Sequence, residues 1–278
     1  MLGLIYNELL VITGRWRSYI GFIGISILMP LILWGFAYGS ESLQSDYTRG
    51  FEGSFMIVGS IINTFLATYI IMNAMWIHIP FLITLAAGDS VAADGSNGIF
   101  RLTLIRPVSR LKILLSKLLA SYIYSAALVI FCAFWSLGIG SLILGTGDLI
   151  VIDKGILILE ESQVWIRMLL SFSLAIVVMC MVATLCFMFS SMVDNGVGPI
   201  IGAMFLIIVG YIIIAIPLDF FKKIEPYVFV SYFNIWIDAF KDPIPWLVIG
   251  KKLIVLIGYS IIFFGIAAYV FLNKDIKS

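Results

Sequence analysis

Long uninterrupted apolar runs constrain this chain most, because an α-helix needs about 20 apolar residues to cross the hydrocarbon core of a bilayer. Apolar residues make up 62% of the 278 and charged residues only 12%, against about 45–50% and about 25% in soluble domains. Too few charges remain to cover a soluble surface, so the sequence predicts an all-α integral membrane protein with six transmembrane helices. The predicted spans are 19–38, 55–87, 113–145, 167–191, 198–217 and 250–272.

The segments between these runs are short, so residues 1–278 are predicted to form a single transmembrane domain. Within residues 1–18, Ile5, Leu9 and Ile12 recur at helical spacing, which is typical of a short helix lying in the membrane interface. An extension of the first span toward the N-terminus is the alternative.

Two connecting segments have patterns of their own. Leu149–Ile152 and Ile156–Leu159 are short apolar runs on either side of a glycine-containing turn, which predicts a β-hairpin. Residues 218–247 are rich in aromatic side chains, and amphipathic rings favour the headgroup level of a bilayer. We therefore expect residues 218–247 to lie on the membrane or dip into it.

The chain lacks the patterns of common catalytic and nucleotide-binding sites. It has no Gly-x-x-x-x-Gly-Lys-Ser/Thr loop to cradle a phosphate and no Gly-x-Ser-x-Gly nucleophile elbow. The only histidine is His78, which excludes a zinc site built on several histidines. The net charge of +1 provides no basic bulk for nucleic acid. We therefore expect no catalytic residue, metal or cofactor in this chain, and no nucleic-acid partner.

Polar side chains are rare inside the predicted spans. Asn63 and Asn73 lie ten residues apart in the second span, close to three helical turns, so they are predicted to share a face. They either bond between helices or line a translocation path. His78 is expected near the cytoplasmic end of the same span, as an interfacial anchor beside Trp76.

The segment 88–118 contains an ordered set of residues around a predicted turn at Asp94–Gly98. Asp94 is followed by Gly98, then by the run Arg106-Pro107-Val108-Ser109-Arg110, then by Lys117 at the start of the third span. This segment resembles the cytoplasmic loop of ABC-2 type permeases, the membrane subunits of ATP-binding cassette transporters. Asp94 stands where that family usually has Glu, Ile99 replaces Thr, and Ser116 replaces Gly.

The resemblance implies a fold and a mode of action. It implies an N-terminal interfacial helix, six spans, a cytoplasmic coupling loop at 88–110 and an extracytoplasmic re-entrant segment at 218–247. The chain would form the translocation path as a dimer with a second permease copy or paralogue in the lipid bilayer. A separate ABC ATPase dimer, holding ATP and magnesium, would drive transport, which in this family is usually export. The coupling residues it implies are Asp94, Gly98, Arg101, Arg106, Pro107, Arg110 and Lys117.

The distribution of basic residues predicts the orientation of the chain in the membrane. Five basic residues fall within 88–117, and basic loops favour the cytoplasm, so we expect both termini to be cytoplasmic in a cell (inner) membrane.

An ATP-independent secondary carrier or a membrane scaffold is the alternative function, followed by an intramembrane enzyme. A carrier predicts inverted repeats and a midplane ion site, and an enzyme predicts convergent titratable groups inside the spans. The sequence shows neither pattern.

Overall fold

The computed structural model describes residues 1–39, 61–96, 109–152, 156–193 and 195–273, with the backbone alone at 89, 93–96 and 152. These ranges are mostly helical, with one two-stranded hairpin. The α-helices in these ranges are α1 (Leu2–Gly14), α2 (Arg17–Tyr38), α3 (Thr64–Met75), α4 (His78–Ser96), α5 (Arg110–Leu144), α6 (Glu161–Met192), α7 (Val197–Ala215), the short α8 (Asp219–Ile224) and α9 (Trp246–Asn273). The hairpin strands are β1 (Leu149–Ile152) and β2 (Ile156–Leu159).

Five of these helices are long and apolar enough to cross a membrane, namely α2, α5, α6, α7 and α9. The pair α3 and α4 adds a sixth span if the two are counted together, with their axes bent by 57° at the break. The predicted spans therefore fall on helices of suitable length, except that residues 55–60 of the second lie outside the described residues.

Pro80 explains why the second span is broken. A proline inside a helix removes one hydrogen bond and its ring clashes with the carbonyl four residues earlier, which here is that of Trp76. The helix accordingly ends at Met75 and restarts at His78. His78 therefore lies at the break, as the first residue of α4, and its place near the cytoplasmic end stays a prediction.

Helix α6 forms the centre of the bundle. Of its most apolar 18-residue window, 72% is buried, against 11% for α9. Helices α4, α5, α7 and α9 all pack around it. Small side chains along α6, including Ser171, Ala175 and Ala183, are fully or almost fully buried and let neighbouring backbones approach closely.

The hairpin is confirmed at its predicted bounds. Its strands are antiparallel, with Leu149 opposite Leu159 and Ile152 opposite Ile156. Leu149 and Leu159 are buried, whereas Ile158 is 61% exposed, as expected when alternate residues of a strand face opposite sides.

The aromatic segment divides into two parts. Phe220 and Tyr227 are exposed, in α8 and in the short 3₁₀ turn Glu225–Tyr227. A second helical stretch, Phe229–Phe240, is 3₁₀ in its hydrogen bonding and buries Phe233 and Trp236 against α6, α7 and α9. Headgroup-level rings stay a prediction for the exposed part, and the second part instead packs its rings into the bundle.

The two ends of the helical bundle are called the loop end and the hairpin end. The loop end is where α4 ends at Ser96 and α5 begins at Arg110. The hairpin end is where β1 and β2 connect α5 to α6. Helix α1 and the end of α9 lie at the loop end, because Glu8 contacts Lys117 and Arg110 contacts Leu272.

Candidate functional sites at the two ends of the bundle

The predicted coupling loop is shorter than the sequence indicated. Helix α4 continues to Ser96, so the loop does not begin at residue 88, and Asp94 lies in the last turn of α4 rather than in a free turn. A helix that continues from within the bundle outweighs the local turn preference of Asp94 and Gly95. Gly98, Arg101, Arg106 and Pro107 lie outside the described residues.

Arg110 and Lys117 are the two predicted coupling residues whose side chains the structure describes. Arg110 begins α5, and its Nη1 donates to the carbonyl oxygen of Leu272 at 3.4 Å, near the end of α9. Lys117 is only 3% exposed, and its Nζ donates to Glu8 Oε2 of α1 at 2.7 Å. Neither side chain extends freely from the bundle, so each ties the start of α5 to another helix.

The N-terminal helix is fixed to α5 by this ion pair. The chain separates α1 from α2 at Arg15, whose backbone is extended, so α1 is a helix of its own and the alternative of a longer first span is wrong. Tyr124 of α5 also donates to the carbonyl oxygen of Ser18 at 2.8 Å, at the start of α2. Helix α5 is therefore connected to both N-terminal helices at the loop end.

A tight junction holds α4 where it approaches the loop end. The Ser190 hydroxyl of α6 donates to the Gly88 carbonyl at 2.6 Å and accepts from the amides of Val91 and Ala92 at 3.2 and 2.9 Å. A Cβ at Gly88 would lie 2.8 Å from Ile200 Cγ1 of α7, so only glycine fits without movement. We call the contact of Gly88 with Ser190 and Ile200 the Gly88 junction.

The two asparagines proposed for a translocation path have separate structural roles. Asn63 caps α3, with Oδ1 accepting from the amides of Phe65 and Leu66 at 3.0 Å. Its Nδ2 donates to the carbonyl oxygen of Asp148 at 2.6 Å, which ties α3 to the hairpin. Asn73 is exposed and bonds to Tyr69 of its own helix. The prediction of a shared face inside a span is wrong, because α3 begins only after Asn63.

A charged cluster that the sequence reading missed lies at the hairpin end. Arg167 of α6 is 6% exposed. It donates to the carbonyl oxygens of Ala239 and Lys241 at 3.2 and 2.6 Å, and to Asp242 Oδ1 at 2.9 Å. One guanidinium thus satisfies three acceptors, at the end of the Phe229–Phe240 helix and in the turn that follows it.

Asp238 is the second centre of this cluster. It is 1% exposed, and its two carboxylate oxygens accept from Lys241 Nζ and Lys252 Nζ. Arg167, Asp238, Lys241, Asp242 and Lys252 are called the hairpin-end cluster. The spacing of Asp238 and Lys241 on one helical face was the one sequence signal for it. Arg167 and Lys252 come from distant parts of the chain.

A cavity of about 800 Å³ opens beside the cluster. Val151, Ile156 and Leu157 of the hairpin form one part of its apolar lining. Its polar lining includes Asn234 and all of the cluster except Arg167. No group of three or more His, Cys, Asp or Glu side chains arranged to hold a metal ion occurs among the described residues.

The chain is similar in sequence to a bacterial protein and to a family model. It is 28% identical over 210 residues to the uncharacterized protein YhcI of Bacillus subtilis (strain 168), in an alignment that covers 71% of this chain and 64% of that relative. The chain thus matches less than two thirds of the relative's length. A family model matches residues 25–277, which is most of the chain. The protein therefore belongs to the family described as "Protein of unknown function (DUF2705)".

Proposed function

We propose that this chain is the membrane subunit of an ABC-2 type ATP-binding cassette transporter, driven by a separate ATPase that grips the segment between α4 and α5. One observation carries the proposal. The residues that resemble the ABC-2 coupling loop join the ends of two long helices, and each of these helices is anchored inside the bundle next to that loop.

The anchors make the two helices suitable for transmitting a displacement. Helix α4 is held by the Gly88 junction, eight residues before its end at Ser96. Helix α5 is held by Lys117, seven residues after its start at Arg110. A displacement of the end of α4 or the start of α5 would therefore act on packed helices, and packed elements move as rigid bodies.

The remaining features of the proposal follow from the same family resemblance. The chain would act as a homodimer, or with a paralogous permease, in the cell membrane, and export is the direction we propose. The loop end would face the cytoplasm, with the start of α1 and the end of α9. The hairpin end, with its cavity, would then face the outside.

The first test is copurification. The tagged chain is extracted from its native membrane in mild detergent, and the proteins that come with it are identified by mass spectrometry. We expect a soluble partner with a Gly-x-x-x-x-Gly-Lys-Ser/Thr loop. The double variant Arg106→Glu, Arg110→Glu should lose it, because charge reversal replaces attraction to acidic groups with repulsion.

A matched control reverses two charges at the other end of the bundle. Lys222→Glu, Lys223→Glu changes exposed lysines of α8 and should leave the ATPase bound. Retention of the ATPase by the Arg106, Arg110 variant would remove the coupling role of the loop. Recovery of the chain alone, under conditions that preserve another ABC complex from the same membranes, would favour a carrier or scaffold.

A further inference from the structure

The cavity at the hairpin end has the size and composition of a ligand site. Its volume of about 800 Å³ lies within the roughly 300–1,000 Å³ usual for sites that enclose a small molecule. It lies between Tyr69 of α3, the hairpin, the segment from Asn234 to Pro245, and Lys252 of α9, so four separate parts of the chain contribute to it. Such a space takes a ligand that has both an apolar and a polar part.

The charges of the hairpin-end cluster do not balance among the described side chains that bond within it. Arg167, Lys241 and Lys252 supply three cations, and Asp238 and Asp242 supply two carboxylates. Both oxygens of Asp238 are taken by the two lysines. One positive charge is left over, and the side chains of Lys241 and Lys252 are 48% and 24% exposed, so a ligand can reach both ammonium groups.

The lysine ammonium groups have donors left for a ligand. An ammonium has three donors, and the bond to Asp238 uses one on Lys241 and one on Lys252. Asp238 holds the two ammonium groups on either side of one carboxylate, and both lysines line the cavity. Asn234 is exposed and also lines it. This arrangement suits an anion with several acceptor oxygens, such as a phosphate.

The surface next to the cavity is apolar. Ile156 lines the cavity and is 38% exposed, and Ile158, two residues along the same face of β2, is 61% exposed. Leu247, at the start of α9, is 84% exposed. A ligand with its anion at the lysines could therefore lay an apolar chain along the outside of the bundle.

We propose that this cavity binds one anionic glycerophospholipid, with its phosphate between Lys241 and Lys252 and its acyl chains along the hairpin and α9. The site does not depend on the proposed function, because it uses only contacts at the hairpin end. A free phosphate compound offers the same anionic chemistry without the chains, so the test separates the two.

The test measures lipid binding to the full chain purified in detergent, by native mass spectrometry. Three probes are titrated: dioleoyl phosphatidylglycerol, dioleoyl phosphatidylcholine and glycerol 1-phosphate. We expect one tightly held phosphatidylglycerol per chain, with affinity about tenfold above phosphatidylcholine. Glycerol 1-phosphate should neither bind at comparable concentration nor displace the lipid. Equal binding of the two lipids, or displacement by glycerol 1-phosphate, would overturn the lipid assignment.

Variants assign the binding to the cavity. Lys252→Gln should weaken phosphatidylglycerol binding about tenfold, and Lys252→Arg should keep it because the charge remains. Lys251→Gln is the matched control, since Lys251 is exposed on the adjacent position of α9 and should leave binding unchanged. If Lys252→Gln lowers stability, Asn234→Leu tests the same cavity without touching an ion pair and should also weaken binding. Unchanged binding in both variants contradicts the proposal.

Discussion

Ser190 of α6 donates its hydroxyl proton to the carbonyl oxygen of Gly88 in α4, at 2.6 Å. The Ser190 Oγ in turn accepts from the amide of Ala92 at 2.9 Å. The Gly88 carbonyl and the Ala92 amide are the two groups that a regular α-helix pairs with each other. One side chain thus contacts both members of a backbone pair in the neighbouring helix. This ties the central helix to α4 shortly before the coupling segment.

Ser190→Ala should lower the free energy of unfolding by about 1–3 kcal/mol, because buried backbone groups of α4 lose a partner from α6. Denaturant titration in detergent micelles measures the change. Ser191→Ala is the matched control, because Ser191 is equally buried but bonds only to Met188 of its own helix. If the two variants are equally stable, the bond from Ser190 to α4 contributes nothing specific.

Gly88→Ala tests the other half of the junction. The added methyl group would lie 2.8 Å from Ile200 Cγ1, and overpacking of this kind costs about 1–3 kcal/mol. Ile200→Ala removes that atom, so the double variant should be less destabilised than the sum of the two single variants. A double-mutant cycle measures the difference. Strict additivity would show that the methyl group is accommodated elsewhere.

The ion pair between Glu8 and Lys117 gives a prediction about α1. Lys117→Gln removes the charge that faces Glu8 inside the bundle, and Glu8→Gln leaves a buried cation, so each should destabilise by up to about 3 kcal/mol. The double variant should cost less than the two changes added together. Lys112→Gln, in the exposed first turn of the same helix, should have almost no effect. The measurement is the unfolding midpoint of each variant at matched detergent concentration.

The same ion pair should also matter for transport if the proposed function is right. Lys117→Gln should reduce transport more than its loss of folded protein explains, because α5 would no longer carry α1 with it. Transport per folded molecule, in proteoliposomes with the partner ATPase, is the quantity to compare with Lys112→Gln. Equal values for both variants would confine Lys117 to a structural role.

The sequence predicted the elements whose signals are local. Hydropathy alone located the long helices, because a span needs a continuous apolar run. The short apolar runs that flank a glycine-containing turn located the hairpin to the residue. The end of α4 was missed, since packing against α6 at Gly88 keeps the chain helical as far as Ser96, although Asp94 and Gly95 locally favour a turn.

The hairpin-end cluster could not be predicted, because its members are far apart in the chain. Arg167 bonds to Asp242 across 75 positions, and to no charged partner that local spacing would suggest. Conversely, Asn63 and Asn73 looked alike in the sequence, but the first caps α3 and the second faces outward. The start of α3 at Thr64 separates these roles, because it leaves Asn63 as the N-cap and places Asn73 inside the helix.

Arg167→Lys should loosen the turn after Phe229–Phe240 while keeping the positive charge. The guanidinium reaches the carbonyl oxygens of Ala239 and Lys241 and the carboxylate of Asp242 together. A lysine ammonium is a point charge on a flexible stem and does not reproduce that fork. We expect a loss of about 1–3 kcal/mol in stability, since buried acceptors lose a charged donor. Hydrogen–deuterium exchange should rise in the backbone from Ala239 to Trp246, while α3, which Arg167 does not bond to, serves as the internal reference. Unchanged exchange in the turn would show that it holds its shape without the arginine, and that Arg167 only neutralises Asp242.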